Sequence, residues 1–279
     1  MAIPSPVPSE EESLLFRGNI VEKESSFEVD NIERLEINND SWDIEFKNTE
    51  SNKITTTAEG KKDKKYDLVT IKNDGKKIVV NQQDRKEMFE GFSFGKKGTI
   101  YIYIPKNEVD TITLNNSFGD IKMSDIAIKN IAISNDSGAE KIEGLSADKG
   151  EFTSKDGEIS MKNSSLKELT VASIAGDNYI SNVTSPKMKV TSTDGEVSIK
   201  NEKEGKSLFV ETKSGDISVS YKEDPTSLIL SANSRSSDIS VNLNSFKKKR
   251  DTENSKEGTI GDAMNKLEIL SKAGTINIR

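Results

Sequence analysis

The 279-residue chain contains no cysteine and no histidine. The first absence removes disulfides and thiolate chemistry. The second removes Ser-His-Asp and Cys-His catalysis and the His-bearing metal sites. Aromatic residues make up only 6%, with a single Trp, and 32% of residues are hydrophobic against 31% charged. That is lean for a compact globular core and suits a thin stack of layers that each bury a few side chains. No stretch approaches the ~18 consecutive apolar residues of a membrane-spanning helix. The formal net charge of −7 argues against nucleic acid as a partner. The opening MAIPSPVPSEEE has no signal-peptide core, and residues 1–26 read as a linker or N-terminal extension. The lack of cysteine fits an extracytoplasmic protein of a Gram-positive bacterium.

What is present is a short phrase: Gly, then usually an acid, then alternating apolar residues. It appears as GDIKM, GAEKI, GEISM, GDNYI, GEVSI, GDISV, SDISV and GTINI, starting at 119, 138, 157, 176, 195, 215, 237 and 274, steps of 19, 19, 19, 19, 20, 22 and 37. A period near 20 marks a repeat architecture. Upstream of each phrase lies a second alternating segment, such as TITLNNSFG (111–119) or KMKVTSTDG (187–195). Each repeat therefore reads as strand, tight turn, strand, looser turn.

Alternation sends one face of each strand inward. The inward set begins with Ile112, Leu114, Ile121 and Met123, and ends with Leu228, Leu230, Ile239 and Val241, then Leu267, Ile269, Ile276 and Ile278. The Gly marks a sharp corner that either requires positive φ or has no room for Cβ. Asp-Gly at 156–157 and 194–195 also fits antiparallel hairpins in a meander. The constant step favours an all-β solenoid with rungs of ~19–22 residues stacked in parallel.

Residues 27–110 are less regular and read as N-terminal rungs with a capping hairpin. RLEINNDSWDIEF (34–46) matches TITLNNSFGDIKM (111–123) almost position for position, with Trp42 at the Gly. An NDG turn sits within DLVTIKNDGKKIVVNQQ (67–83). Residues 111–279 form the regular solenoid, continuous with the N-terminal rungs. Residues 244–262 form a loop insertion that accounts for the 37-residue step.

These lines, of the form x-L-x-V-x-[ST]-x-x-G-[DE]-I-x-[IV], together with Ile104-Pro105-Lys106 and GTIGD (258–262), resemble the putative-adhesin family of bacterial β-strand-repeat proteins of unknown function. That family includes the Lia-type proteins of Gram-positive envelope stress responses. The resemblance covers about 27–279. It implies a β-solenoid at the cell envelope, often tethered by an N-terminal membrane segment, with no enzyme activity, no cofactor and no agreed binding residues.

Several residues are candidate interaction sites. Asp120, Glu158, Asp177, Glu196, Asp216 and Asp238 follow the corner. Stacked, they form an acidic ridge that either binds Ca²⁺ or a cationic polymer or is simply solvated. Lys247, Lys248, Lys249 and Arg250 offer contact to anionic lipid or wall polymer or serve as a solvated loop. Phe92 and Phe94, in EMFEGFSFG with Met88 and Phe89, form a cap core or an exposed patch. Trp42 is either a plug or a sugar-stacking platform. A polysaccharide-active enzyme would group carboxylates with a basic residue. Only six Arg occur, and Arg235 alone lies near the regular turns. The expected role is interaction without catalysis, with an envelope protein, a peptide or an anionic cell-wall polymer as partner, at the cell surface.

Overall fold

Alternating β-branched and polar residues fold here as their period of two requires, into short strands with one wet and one dry face. In a computed structural model, which describes residues 20–61, 68–83 and 98–279, the chain is a β-solenoid. On the first face Thr111–Asn116, Ala127–Asn135, Ser146–Ser154, the second half of Ile159–Ser173, Lys187–Ser192 and Ser207–Thr212 pair in parallel, in that order. On the second face Ile121–Ser124, Glu140–Glu143, the first half of Ile159–Ser173, Asn178–Thr184, Val197–Asn201 and Ile217–Tyr221 do the same. Between them like stacks on like. Leu114, Ile133, Phe152, Val171, Val190 and Val210 form one inner column. Met123, Ile142, Met161, Ile180, Ile199 and Val219 form another. All of these are buried, and each contributes about 1.5–3 kcal/mol by leaving water. Val241 is the exception in the expected inward set: it is only partly buried, because its strand, Ile239–Val241, pairs with Ile276–Ile278 alone.

The corner explains the glycine. A Cβ on Gly157, Gly176, Gly195 or Gly215 would fall well inside van der Waals contact of the carbonyl oxygen of the glycine one rung earlier. Lack of room, rather than positive φ, is the cause at these four positions; of the corner glycines only Gly138 has a left-handed φ, 119°. Three residues before each corner a buried polar side chain ties the turn. Asn116 donates to the Gly119 carbonyl at 2.6 Å and to Asn135 at 2.7 Å, and Asn135 donates to the Gly138 carbonyl at 2.7 Å. From the next rung on, Ser154, Ser192, Thr212 and Ser271 take over with bonds of 2.7–2.9 Å to the corner glycines.

Three expectations are corrected. The looser turn is a third side: Ala127–Ile128, Ser146–Ala147 and Ser165–Leu166 stack there in parallel. The turn onto it is left-handed at Asp125, Gly144, Asn163 and Asn182, with φ of 55°, 69°, 50° and 53°, which Asn, Asp and Gly tolerate best. Residues 244–262 are no loop. Lys247–Thr252 and Ser255–Ile260 form a hairpin, and the second strand pairs antiparallel with Leu228–Ser234. The stacking order also departs from chain order. Asn265–Ser271 lies between Ser207–Thr212 and Leu228–Ser234, and Ile276–Ile278 lies between Ile217–Tyr221 and Ile239–Val241. The last rung is therefore internal. Thr275 to Ile278 offers no free edge, because every rung carries the same inward pattern and the pattern alone allows either order.

The N-terminal end is built alike. Arg34–Asn39 and Asp43–Thr49 stack directly on Thr111–Asn116 and Ile121–Ser124, the neighbours their sequence matches. Beyond them lie Lys77–Gln82 and Gly98–Pro105. Antiparallel strands then close the end: Val69–Asp74 on the first face, Lys53–Lys61 and Ile20–Glu28 on the second. The NDG hairpin is thus present. The β-structure begins at residue 20, inside what reads as an extension, because that strand covers the edge of Lys53–Lys61.

Replacing Gly176 by Ala forces a backbone shift and lowers the unfolding free energy by about 2–3 kcal/mol. Replacing Gly75, at φ 67° with nothing within 4 Å of a built Cβ, costs about 1 kcal/mol of left-handed strain. Urea melts of both variants check this; equal losses would refute the carbonyl-contact account.

Candidate interaction surface

The acid after the corner has a structural use. Asp120 Oδ1 accepts the N–H of Ala139 at 2.9 Å, Asp177 Oδ1 that of Glu196 at 2.8 Å, and Asp216 Oδ1 that of Thr275 at 2.7 Å. Asp43, which follows Trp42 as Asp120 follows Gly119, accepts the N–H of Asp120 at 3.0 Å. The corner leaves this amide outside the strand ladder, and a short carboxylate one rung away reaches it. Glu158 and Glu196 continue the ridge, interrupted at Ala139 and, between Asp216 and Asp238, at Thr275. Among the described residues no group of three or more acids is placed to hold a metal ion.

The other sequence candidates scatter. Lys247, Lys248, Lys249 and Arg250 lie on the outermost strand of the C-terminal cap, exposed along its whole length. Lys248 pairs with Asp251 at 2.6 Å and Arg250 with Glu257 at 3.2 Å. Lysines on an edge strand discourage pairing with another chain. Trp42 is 2% exposed, and its ring covers Gly98, where a Cβ would strike it. It plugs the N-terminal end and offers no platform to a ligand. Phe92 and Phe94, with Met88 and Phe89, lie outside the described residues. The ridge, the basic strand and Trp42 do not converge on one site.

The third side carries what the sequence reading missed. A cleft of about 420 Å³ runs over Ile128, Ala147 and Leu166, and a second of about 510 Å³ adjoins it at Thr184 and Pro186, over Met188, Leu208 and Tyr221. One wall of the second cleft comes from a longer step of the repeat. The extra residue between Gly195 and Gly215 lies within 202–206, and these residues line that cleft. The floor residues Ile128, Ala147, Met188 and Leu208 are 5–8% exposed while the columns beneath the two faces are at 0–2%, which marks the third side as the thinnest wall. The signal available in the sequence was the Asp125, Gly144, Asn163, Asn182 series, itself spaced by 19.

Two positions of one inner column break the apolar rule: Asn178, buried between Ile159 and Val197, and Glu140. Glu140 stacks between Ile121 and Ile159 and is fully buried. Burial raises its carboxyl from 4.5 to about 8; nearby Asn135 offsets part of the rise, but neither carboxyl oxygen finds a partner at normal hydrogen-bond geometry. The group is protonated in the fold at neutral pH.

Two outcomes follow. The unfolded chain releases the Glu140 proton near 4.5 and the folded chain holds it to about 8. Stability is therefore complete below about pH 4.5 and is lost as pH rises towards 8, at up to about 1.4 kcal/mol per unit. Glu140→Ile removes that slope, so thermal melts show a gap over the parent that widens from pH 5 to pH 8; a constant gap would mean the carboxyl is solvated. For the ridge, Asp120→Asn, Asp177→Asn and Asp216→Asn together keep the melting temperature, since the amide oxygen still accepts. The matching Ala changes each cost about 1 kcal/mol. Calorimetry with millimolar Ca²⁺ gives no binding heat to the parent chain, and a saturable heat would restore the ridge as a metal site.

No curated protein matches the chain. Among solved structures it is similar to a putative adhesin from Bacteroides fragilis, at 13% identity and TM-score 0.56, covering 93% of this chain and 97% of that one. It is also similar to a putative adhesin from Parabacteroides distasonis, at 11% identity and TM-score 0.50, covering 94% and 98%. At such identities the likeness is one of fold. The family model described as Toastrack DUF4097 matches residues 32–279, from the first inserted rung to the last, and the chain belongs to that family.

Proposed function

We propose that this chain is a non-catalytic interaction protein of the bacterial cell envelope, an adhesin or a scaffold, working outside the cytoplasm. The observation that carries the reading is where the acids go. Ridge aspartates hold backbone amides of the next rung, and other carboxylates pair with lysines one rung away, as in Asp110–Lys129 and Asp148–Lys167, both at 2.7 Å. Neither third-side cleft gathers the converging acid, base and nucleophile that a reaction needs. What is left over is long surface. The two solved structures of similar fold are themselves described as putative adhesins, in keeping with this role.

A second reading has one observation in its favour. Ile239–Val241 pairs as a strand on one side only; on the other the Ile239 N–H is bonded to the Glu253 carbonyl at 3.2 Å, which leaves the Val241 end of the edge to accept an extended peptide. That would suit a sensor module of an envelope stress response of the Lia type, binding a peptide or an envelope protein. Pull-down from Gram-positive envelope extract distinguishes the two. Retention of wall material that survives protease treatment supports adhesion. Retention of one protein, lost when Val241→Pro removes an outward N–H of the edge, supports the sensor. Retention of nothing from envelope extract would overturn the envelope role.

A further inference from the structure

The geometry points to the third side as the binding site of an extended, uncharged, hydroxyl-rich polymer: a neutral glycan chain lying along the stack across successive rungs. The inference rests on the envelope-interaction reading and names its ligand class. Its ground is the pair of adjoining clefts, about 420 and 510 Å³, that share Thr184 and Pro186. Together they cross the rungs from Val109 to Leu208, a run of roughly 24 Å at about 4.8 Å per rung. The volumes lie within the range of ordinary ligand sites, but the shape is that of a trough, which fits a chain rather than a compact molecule.

The chemistry of the trough selects among polymers. Most of its rim charges are paired: Lys129 with Asp110 and Lys167 with Asp148 at 2.7 Å, Lys203 with Glu223 and Lys222 with Glu202 at 3.1 Å, while Glu204 accepts the N–H groups of Thr226 and Ser227 and Lys206 stands beside it at the rim. A highly charged polymer would have to break these pairs to gain its own, with little net return in water. They remain available as hydrogen-bond donors and acceptors of both kinds, which is what hydroxyl groups require. Along the middle, Ser146, Ser165 and Thr184 stand exposed in direct register, one hydroxyl per rung. Below them the slightly open apolar floor and the half-buried ring of Tyr221 offer surface for the C–H faces of sugar rings.

A peptide is disfavoured for a definite reason. Strand addition needs an unpaired backbone edge. Here each third-side segment is bonded to the next, Ser146 N–H to the Ile126 carbonyl and Ser165 N–H to the Leu145 carbonyl, both at 2.8 Å. The longer step agrees with a ligand role, because residues 202–206, which line the second cleft, add no inward side chain to the two faces.

Affinity gel electrophoresis of the whole chain tests this, with dextran, mannan and a β-glucan as neutral probes, polygalacturonate as the acidic probe, and an extended-peptide library as the competitor class. The expected result is retardation by at least one neutral glycan. Ser165→Trp, an exposed change that fills the middle of the trough, weakens it at least tenfold. Ser160→Trp, on the second face, leaves it unchanged, and Thr184→Arg repeats the loss should Ser165→Trp fail to fold. The inference is overturned by retardation with polygalacturonate alone, by equal retardation of the Ser165→Trp and parent chains, by equal loss in both Trp variants, or by displacement with peptides only. Retention of envelope fragments without retardation by any neutral glycan overturns it too, while leaving the envelope role standing. Absence of both overturns both.

Discussion

The fold depends on one close approach, the carbonyl oxygen of each corner glycine against the α-carbon of the glycine one rung on. Parallel strand pairing sets the rung spacing at about 4.8 Å, and at the corner the backbone folds so tightly that nothing larger than hydrogen fits in that interval. Once the glycines are superposed, every other position is in register. The acid after the glycine meets the amide of its counterpart one rung later. The polar residue three before it meets both the corner and its own counterpart. Lysines meet acids one period away, as Lys187 does Glu168 at 2.6 Å. A solenoid turns one local requirement into many identical contacts, which is why a chain with so few hydrophobic residues holds together.

The ends obey a different constraint. A parallel stack leaves an unpaired edge at each terminus, and such edges recruit other chains. Both ends of this molecule answer with antiparallel strands, Val69–Asp74 and Lys53–Lys61 with Ile20–Glu28 at one, the 247–260 hairpin at the other. At both, stacking order departs from chain order: the 34–49 rung lies inside the later strands 77–82 and 98–105, and the 265–278 rung lies inside the earlier strands 228–241. The C-terminal end is complete only when residues 265–278 have slipped between two rungs that precede them in the chain. The outermost strand is then Lys247–Thr252, whose exposed lysines and arginine read as protection of the edge rather than as a binding site.

Departures from the repeat are where the molecule does something other than hold itself together. Glu140 places a carboxyl where its neighbours have isoleucine, a local weakness whose strength depends on pH. The longer step after Gly195 supplies a wall of the second cleft on the third side. Neither departure lies on the acidic ridge, the most regular polar feature in the sequence, and regularity there has a structural cause.

Much of this was legible in the residues. The 19-residue step, the inward columns, the tight glycine corner and the kinship of 34–46 with 111–123 all follow from period and register, which are local properties that a linear text carries. Trp42 as a plug follows from its place in the glycine column. The third side was not legible as such. Its strands are two residues long, too short for alternation to register, and only the left-handed series at 125, 144, 163 and 182 betrays it. The order of the final rungs, the hairpin at 247–260 and the adjoining clefts were decided by tertiary structure alone. Rungs with one inward pattern can stack in any order. A polar hairpin reads as a loop until an edge needs covering, and a cleft is a relation between segments some 20 residues apart. Sequence settled what each rung is; only the packed chain settled where each rung goes and what surface the set presents.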